Sequence, residues 1–161
     1  MANPAQETIV YPFTAYNFAV EIEVPGVMTQ VCEGAFSECD GLEMTMDVKT
    51  IREGGNNTQQ FRLTGAVNYG TLTLKRGMTS NFDLWKWFAT LYEPNKGGVR
   101  GTTKVVMFAE DHQTERARFV LTGCLPVKLK APPLNAKDGM VAIEELQVAY
   151  ETMQFVPVPP A

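Results

Sequence analysis

The chain has 161 residues, 45% hydrophobic and 20% charged, and its 14 basic against 18 acidic residues leave a formal net charge of −4. This excludes a disordered chain, and the length suits one domain that buries a core without disulfide or metal staples. The negative balance argues against a protein that coats nucleic acid through its overall field.

In chain order, Met1 to Val10 carries neither a basic nor an apolar segment, so no signal peptide is expected. From Tyr16 to Val24 the residues alternate. Tyr16, Phe18, Val20, Ile22 and Val24 point one way, and Asn17, Ala19, Glu21 and Glu23 the other. That is the period of a strand with one buried and one wet face. Leu42, Met44, Met46 and Val48 repeat the pattern against Glu43, Thr45, Asp47 and Lys49. Leu72 with Leu74, then Ala117, Phe119 and Leu121, then Leu146, Val148 and Tyr150 do the same. Val105 to Ala109 is apolar on both faces and predicts a strand covered on both sides. Turn residues fall between the runs: Pro25-Gly26, Asp40-Gly41, Gly54-Gly55-Asn56-Asn57, Glu110-Asp111-His112 and Asp138-Gly139. Asp40-Gly41 lies inside a continuing alternation, which suits a bulge or bend as well as a reversal. The prolines of Val156 to Pro160 cannot donate to a ladder, so residues 156–161, like 1–12, are expected to be extended ends. No apolar run reaches the ~18 residues of a membrane span, so the monomer is not expected to insert.

One segment breaks the β pattern. Asn81 to Glu93 predicts a single helix, capped by Ser80 or Asn81, with Asp83 at its positive end and Pro94 and Gly97-Gly98 after it. Asp83, Lys86, Thr90 and Glu93 form one narrow polar stripe, and most of the remaining circumference is apolar, including Trp85, Trp87, Phe88 and Tyr92. Such a helix is either sunk in its own domain or covered by its own sheet on one side and another subunit on the other. Burying both tryptophans within one small domain is demanding, which favours the second.

Residues for chemistry are scarce. His112 is the single histidine and sits in a polar turn, away from Ser37 in a strand context and Ser80 at a helix start, so no nucleophile–base pair is expected. Cys32, Cys39 and Cys124 are odd in number and loosely spaced, as reduced thiols are, and lack the spacing of a metal site. Glu53 to Asn57 lacks the Gly-Lys-Ser/Thr end of a phosphate loop and reads as a flexible hairpin tip. Lys75-Arg76-Gly77 is too short for a nucleic-acid patch, and Glu144 and Glu145 would face opposite sides of a strand. Neither a catalytic activity, a metal nor a cofactor is expected; a binder or a building block is.

Five segments in order carry a resemblance. They are Tyr16-Asn17-Phe18-Ala19-Val20-Glu21-Ile22; Phe36-Ser37-Glu38-Cys39-Asp40-Gly41-Leu42-Glu43; Ile51-Arg52-Glu53-Gly54-Gly55-Asn56-Asn57; Tyr69 to Thr79 with the helix after it; and Leu134-Asn135-Ala136 followed by Val141 to Leu146. From about Tyr16 to about Met153 the chain resembles the tail tube proteins of contractile phages and the inner tube proteins of phage-tail-like contractile injection systems. The resemblance implies a mainly β fold, an antiparallel β-sandwich or partly closed barrel with one α-helix (about residues 81–93), as a single domain over 1–161. It implies hexameric rings that stack into a hollow conduit for DNA or effector proteins. The partners implied are further copies of the chain, a contractile sheath protein, baseplate and terminator proteins, and cargo in the lumen. The particle would be made in the bacterial cytoplasm and could be released from the cell. In that frame Arg52, Glu53, Gly54, Gly55, Asn56 and Asn57 would contact the adjacent ring. Trp85, Trp87, Phe88 and Tyr92 would lie on an inter-subunit or sheath-facing helix. Two alternatives stand beside the tube subunit: a tube-initiating or baseplate adaptor of the same fold, and a monomeric ligand-binding β-barrel. The barrel needs a pocket with convergent polar groups, for which the sequence offers no residues.

Overall fold

Each alternating run becomes a strand because period two lets one face leave water while the other stays hydrated. The computed structural model describes residues 12–27, 36–95 and 97–159, and Cys32 therefore lies outside the described residues. The described strands are β1 (Phe18–Glu23), β2 (Phe36–Asp40), β3 (Met44–Ile51), β4 (Phe61–Tyr69), β5 (Thr71–Gly77), β6 (Gly101–Phe108), β7 (Glu115–Lys130), β8 (Ile143–Ala149) and β9 (Thr152–Pro157), with one helix, α1 (Asp83–Ala89), between β5 and β6. All pairings are antiparallel, in the order β1-β6-β7-β8-β5-β2, with β9 also on β7 and β3 paired with β4 alone. The fold is mainly β and is not a closed barrel: β1, β2 and β9 each keep an outer edge without a strand among the described residues.

β7 joins the two halves. Its first part pairs with β6 and β9, and from Leu125 onward it pairs with β8. The change falls at Gly123, whose φ of 64° suits glycine. Val20 and Ile22 of β1, Val105 of β6 and Leu121 of β7 thus face Leu72 and Leu74 of β5 and Leu146 and Val148 of β8 in one core, which also takes Leu84 and Trp87 of α1. The expectation for Val105 to Ala109 holds only at its start, where Val105 and Val106 are both buried; Met107, Phe108 and Ala109 are half-buried.

Four expectations are corrected. The helix ends at Ala89, four residues early. Thr90, expected on the polar stripe, is buried: its hydroxyl donates to Trp87 O at 2.7 Å and accepts from Val99 N at 3.2 Å, drawing the chain back toward β6. Neither Ser80 nor Asn81 is the N-cap; that position is Phe82, although Asn81 Oδ1 still accepts the Asp83 N–H at 3.0 Å. The extended C-terminal end begins later than 156, since β9 runs to Pro157. Val158 N–H donates to Arg116 O, so the neighbouring Pro157–Ala117 pair is a non-hydrogen-bonded one and no ladder bond is lost at the proline.

The β6–β7 turn is held by Asp111. Its carboxylate accepts Gln113 N–H, Thr114 N–H and the Thr114 hydroxyl, and these bonds hold its pKa down at about 2. A depressed acid contributes stability above its unfolded pKa and loses it as pH falls toward the folded value. The Thr114 amide resonance is therefore expected to titrate with a midpoint near pH 2; a midpoint at the ordinary aspartate value, about 3.9, would mean the turn is not built on this carboxylate.

Candidate functional site

The chain's main unexplained surface is the β3–β4 hairpin. Alternation in β3 predicts a covered face, yet β3 and β4 pack chiefly on each other and project from the body, so every residue of β3 is exposed. Met44, Met46, Val48, Ile51, Phe61, Leu63 and Val67 all stand between 40% (Phe61) and 55% (Met44) exposed. A two-stranded ribbon in water is marginal by itself, and an apolar surface of this kind signals a partner.

The register assigns these side chains to two faces, because residues opposite each other in a ladder point the same way. Near the body Met44 opposes Tyr69, and Met46 opposes Val67. Between Met46 and Val48 the register shifts, so that Gly65 and Ala66 oppose the single Asp47. Beyond the bulge Val48 opposes Thr64, Lys49 opposes Leu63 and Ile51 opposes Phe61. The extra residue moves the apolar side of β4 across the ribbon. Met44, Met46, Val48 and Val67 form an apolar face near the root, and Ile51, Phe61 and Leu63 form one on the opposite side near the tip. Gly65 permits this: a Cβ there would lie 2.3 Å from Asp47 O.

The tip holds Arg52, Glu53, Gly54, Gly55, Asn56 and Asn57 together between the two strands, exposed except for the half-buried Asn56. Asn56 N–H donates to Glu53 O, and Gly55 sits at φ 92° within that turn. Asn56 Oδ1 accepts from Thr58 N, Thr58 Oγ1 and Gln59 N. The tip expected to be flexible is thus pre-shaped by one asparagine.

The helix residues part company. Trp87 is fully buried, and its Nε1–H donates to Val99 O at 2.7 Å, so it belongs to the chain's own core and not to an outer face. Trp85 and Phe88 are half-buried, and Tyr92, beyond the helix, is 75% exposed. Trp85 Nε1–H donates to Glu144 Oε2 at 3.0 Å, while Glu144 Oε1 meets Arg76 Nε at 2.5 Å and Arg76 Nη2 donates to Asn81 O. This buried network, which ties the start of α1 to β5 and β8, is not legible in the sequence. Arg76 and Glu144 lie 68 positions apart and meet only because they are opposite each other in the β5–β8 ladder.

Little here suggests chemistry. Among the described residues no group of three or more His, Cys, Asp or Glu could hold a metal ion. The His112 ring lies 5.9 Å from that of Tyr16, and the Ser37 hydroxyl donates to Lys75 O. Glu145 faces away from the buried Glu144. Burial, and after it the charge of Asp40, pushes the Cys39 thiol up to about 11, and burial also raises that of Cys124; both are free thiols that stay protonated at neutral pH.

A family model described as T4-like virus tail tube protein gp19 matches residues 14–154. No curated protein matches the chain by sequence. Among solved structures the chain is similar to one in the sixfold-symmetrised baseplate of the anti-feeding prophage, with 24% identity and a TM-score of 0.80 over 92% of this chain and 98% of that one. It is similar to one in the extended sheath–tube complex of PVC, an extracellular contractile injection system, with 17% identity and a TM-score of 0.78 over 98% and 100%. Hcp1 from Flavobacterium johnsoniae shares the fold more loosely, with 12% identity and a TM-score of 0.50 over 87% and 96%.

Proposed function

The chain belongs to the family of the T4-like virus tail tube protein gp19, and from that premise we propose that it is the repeating subunit of a rigid inner tube, forming hexameric rings that stack into a hollow conduit. The observation that carries this reading is the projecting hairpin with an apolar side on each face. A ribbon needing cover on both sides fits an arm inserted among neighbouring copies better than a monomer in water. The outer edges of β1, β2 and β9, unpaired among the described residues, fit a sheet completed by other copies. The role is structural, with no catalytic step and no cofactor.

Similar chains occur in a baseplate, a sheath–tube complex and a tube-terminating cap, which supports a contractile sheath protein, a baseplate protein and a terminator as further partners. Cargo, DNA or effector protein, would travel in the lumen of a particle made in the bacterial cytoplasm. Likeness to the baseplate chain also supports a second reading, an adaptor that binds the tube at one end. Electron microscopy of the concentrated protein separates the two: stacked rings with open centres support the repeating subunit, and single rings that never stack support the adaptor.

In this reading the tip pairs with the next ring. Charge reversal at Arg52 or Glu53, both exposed, is expected to leave rings intact and to cut tube yield severely. Tubes of normal length and number would remove the tip from the stacking contact.

A further inference from the structure

The arm meets the body at a built joint. On one strand the β2–β5 ladder ends at Asp40, opposite Thr73, and the β3–β4 ladder starts at Met44, opposite Tyr69, so residues 41–43 leave the ladder. Glu43 N–H donates to Gly41 O at 3.0 Å, and Gly70 N–H donates to Glu43 O at 3.1 Å. Gly41 sits at φ 96°, and a Cβ there would lie 1.9 Å from Thr71 O, so this position requires glycine for the strands to pass this close; a Cβ at Gly70 would displace the exposed Glu43 side chain.

Into this joint reaches one side chain from the body. The Tyr150 hydroxyl, just past β8, stands 2.9 Å from Gly41 O and 3.1 Å from Glu43 O, and it accepts the Glu43 N–H at 3.3 Å. The rest of Tyr150 is anchored in the core at 6% exposure, with its ring 5.7 Å from that of Tyr69, the last residue of β4. Burial raises the phenol's pKa, so it remains a donor at neutral pH.

We infer that Tyr150 is the positioning residue that sets the direction in which the arm leaves the body, and that this direction governs tube stacking. The second half rests on the arm's role proposed above. Leverage is the reason one hydroxyl matters. β3 alone, eight residues at about 3.3 Å each, is a lever of about 26 Å. A slack of about 10° at the root moves the tip by roughly 4–5 Å, beyond what a hydrogen bond tolerates.

The test is Tyr150→Phe in the full chain. The ring keeps its packing, and each carbonyl keeps its other donor: Gly41 O from Glu43 N–H, Glu43 O from Gly70 N–H. The body is therefore expected to fold as before, with unchanged amide protection at Leu74 and Leu146. The Glu43 and Gly70 amides are expected to exchange about tenfold faster, and stacked tubes to fall by at least about tenfold while rings persist. Unchanged exchange at Glu43 and Gly70 would overturn the positioning role whatever the tubes do. Faster exchange with normal tubes would overturn the link from joint to stacking. Charge reversal at Arg52 run in parallel tells the two readings apart: if it too spares the tubes, the arm's stacking role has failed, and the exchange result still judges Tyr150.

Discussion

Replacing Glu144 with alanine is expected to destabilise the folded subunit by about 3–5 kcal/mol. The side chains of Arg76 and Glu144 are only 5% and 1% exposed, and their bond is 2.5 Å long. Removing the carboxylate leaves a buried guanidinium whose remaining partners include Asn81 O and the face of Phe36, and it strips Trp85 Nε1–H of its acceptor. Breaking one side of such a pair costs far more than the pair contributes, because an uncompensated charge stays out of water. For a chain of this size the thermal midpoint should fall by about 6–20 °C. Replacing Arg76 and Glu144 together with apolar residues of similar volume should recover most of the loss. A single-variant change under about 1 kcal/mol would mean that water reaches the pair in solution.

Placing a charge on the arm's root face should do the opposite: little to the subunit and much to the assembly. Met46 is 46% exposed and lies outside the buried core, so Met46→Glu is expected to shift folding stability by no more than about 0.5 kcal/mol. If that face is covered by a neighbouring copy, each ring gains buried carboxylates without partners, at several kcal/mol apiece. Association should weaken by a hundredfold or more, since about 1.4 kcal/mol is a factor of ten. Sedimentation and negative-stain microscopy across a concentration series would read this directly. Tubes at the parental concentration would show that the root face stays wet in the assembly. Phe61→Glu, on the opposite side near the tip, probes the second apolar face by the same logic.

The sequence reveals these sites unequally. Asp111 and the Arg52–Asn57 tip were legible because a turn's chemistry lies within a few residues of itself. The alternation of Met44, Met46 and Val48 was legible as well, but what covers it was not. Period two says that a face leaves water without saying which molecule takes it. The bulge at Gly65-Ala66, which splits the arm's apolar surface between two faces, was hidden because it exists only in the pairing of two strands.

The sequence by itself determined that the chain is mainly β with one helix and that Val20, Ile22, Leu72, Leu74, Leu146 and Val148 point inward. It also determined, through five ordered segments, the family. Each of these is local or additive along the chain: hydrophobic period, turn residues, segment order. The tertiary structure alone decided that Trp87 is core while Tyr92 is outside, that Thr90 ends the helix, that Arg76 meets Glu144 across 68 positions, and that Tyr150 reaches Gly41 across 109. All of these depend on strand register and on how the helix is seated. Register is set by the summed packing of the whole core, so no short stretch of residues carries it.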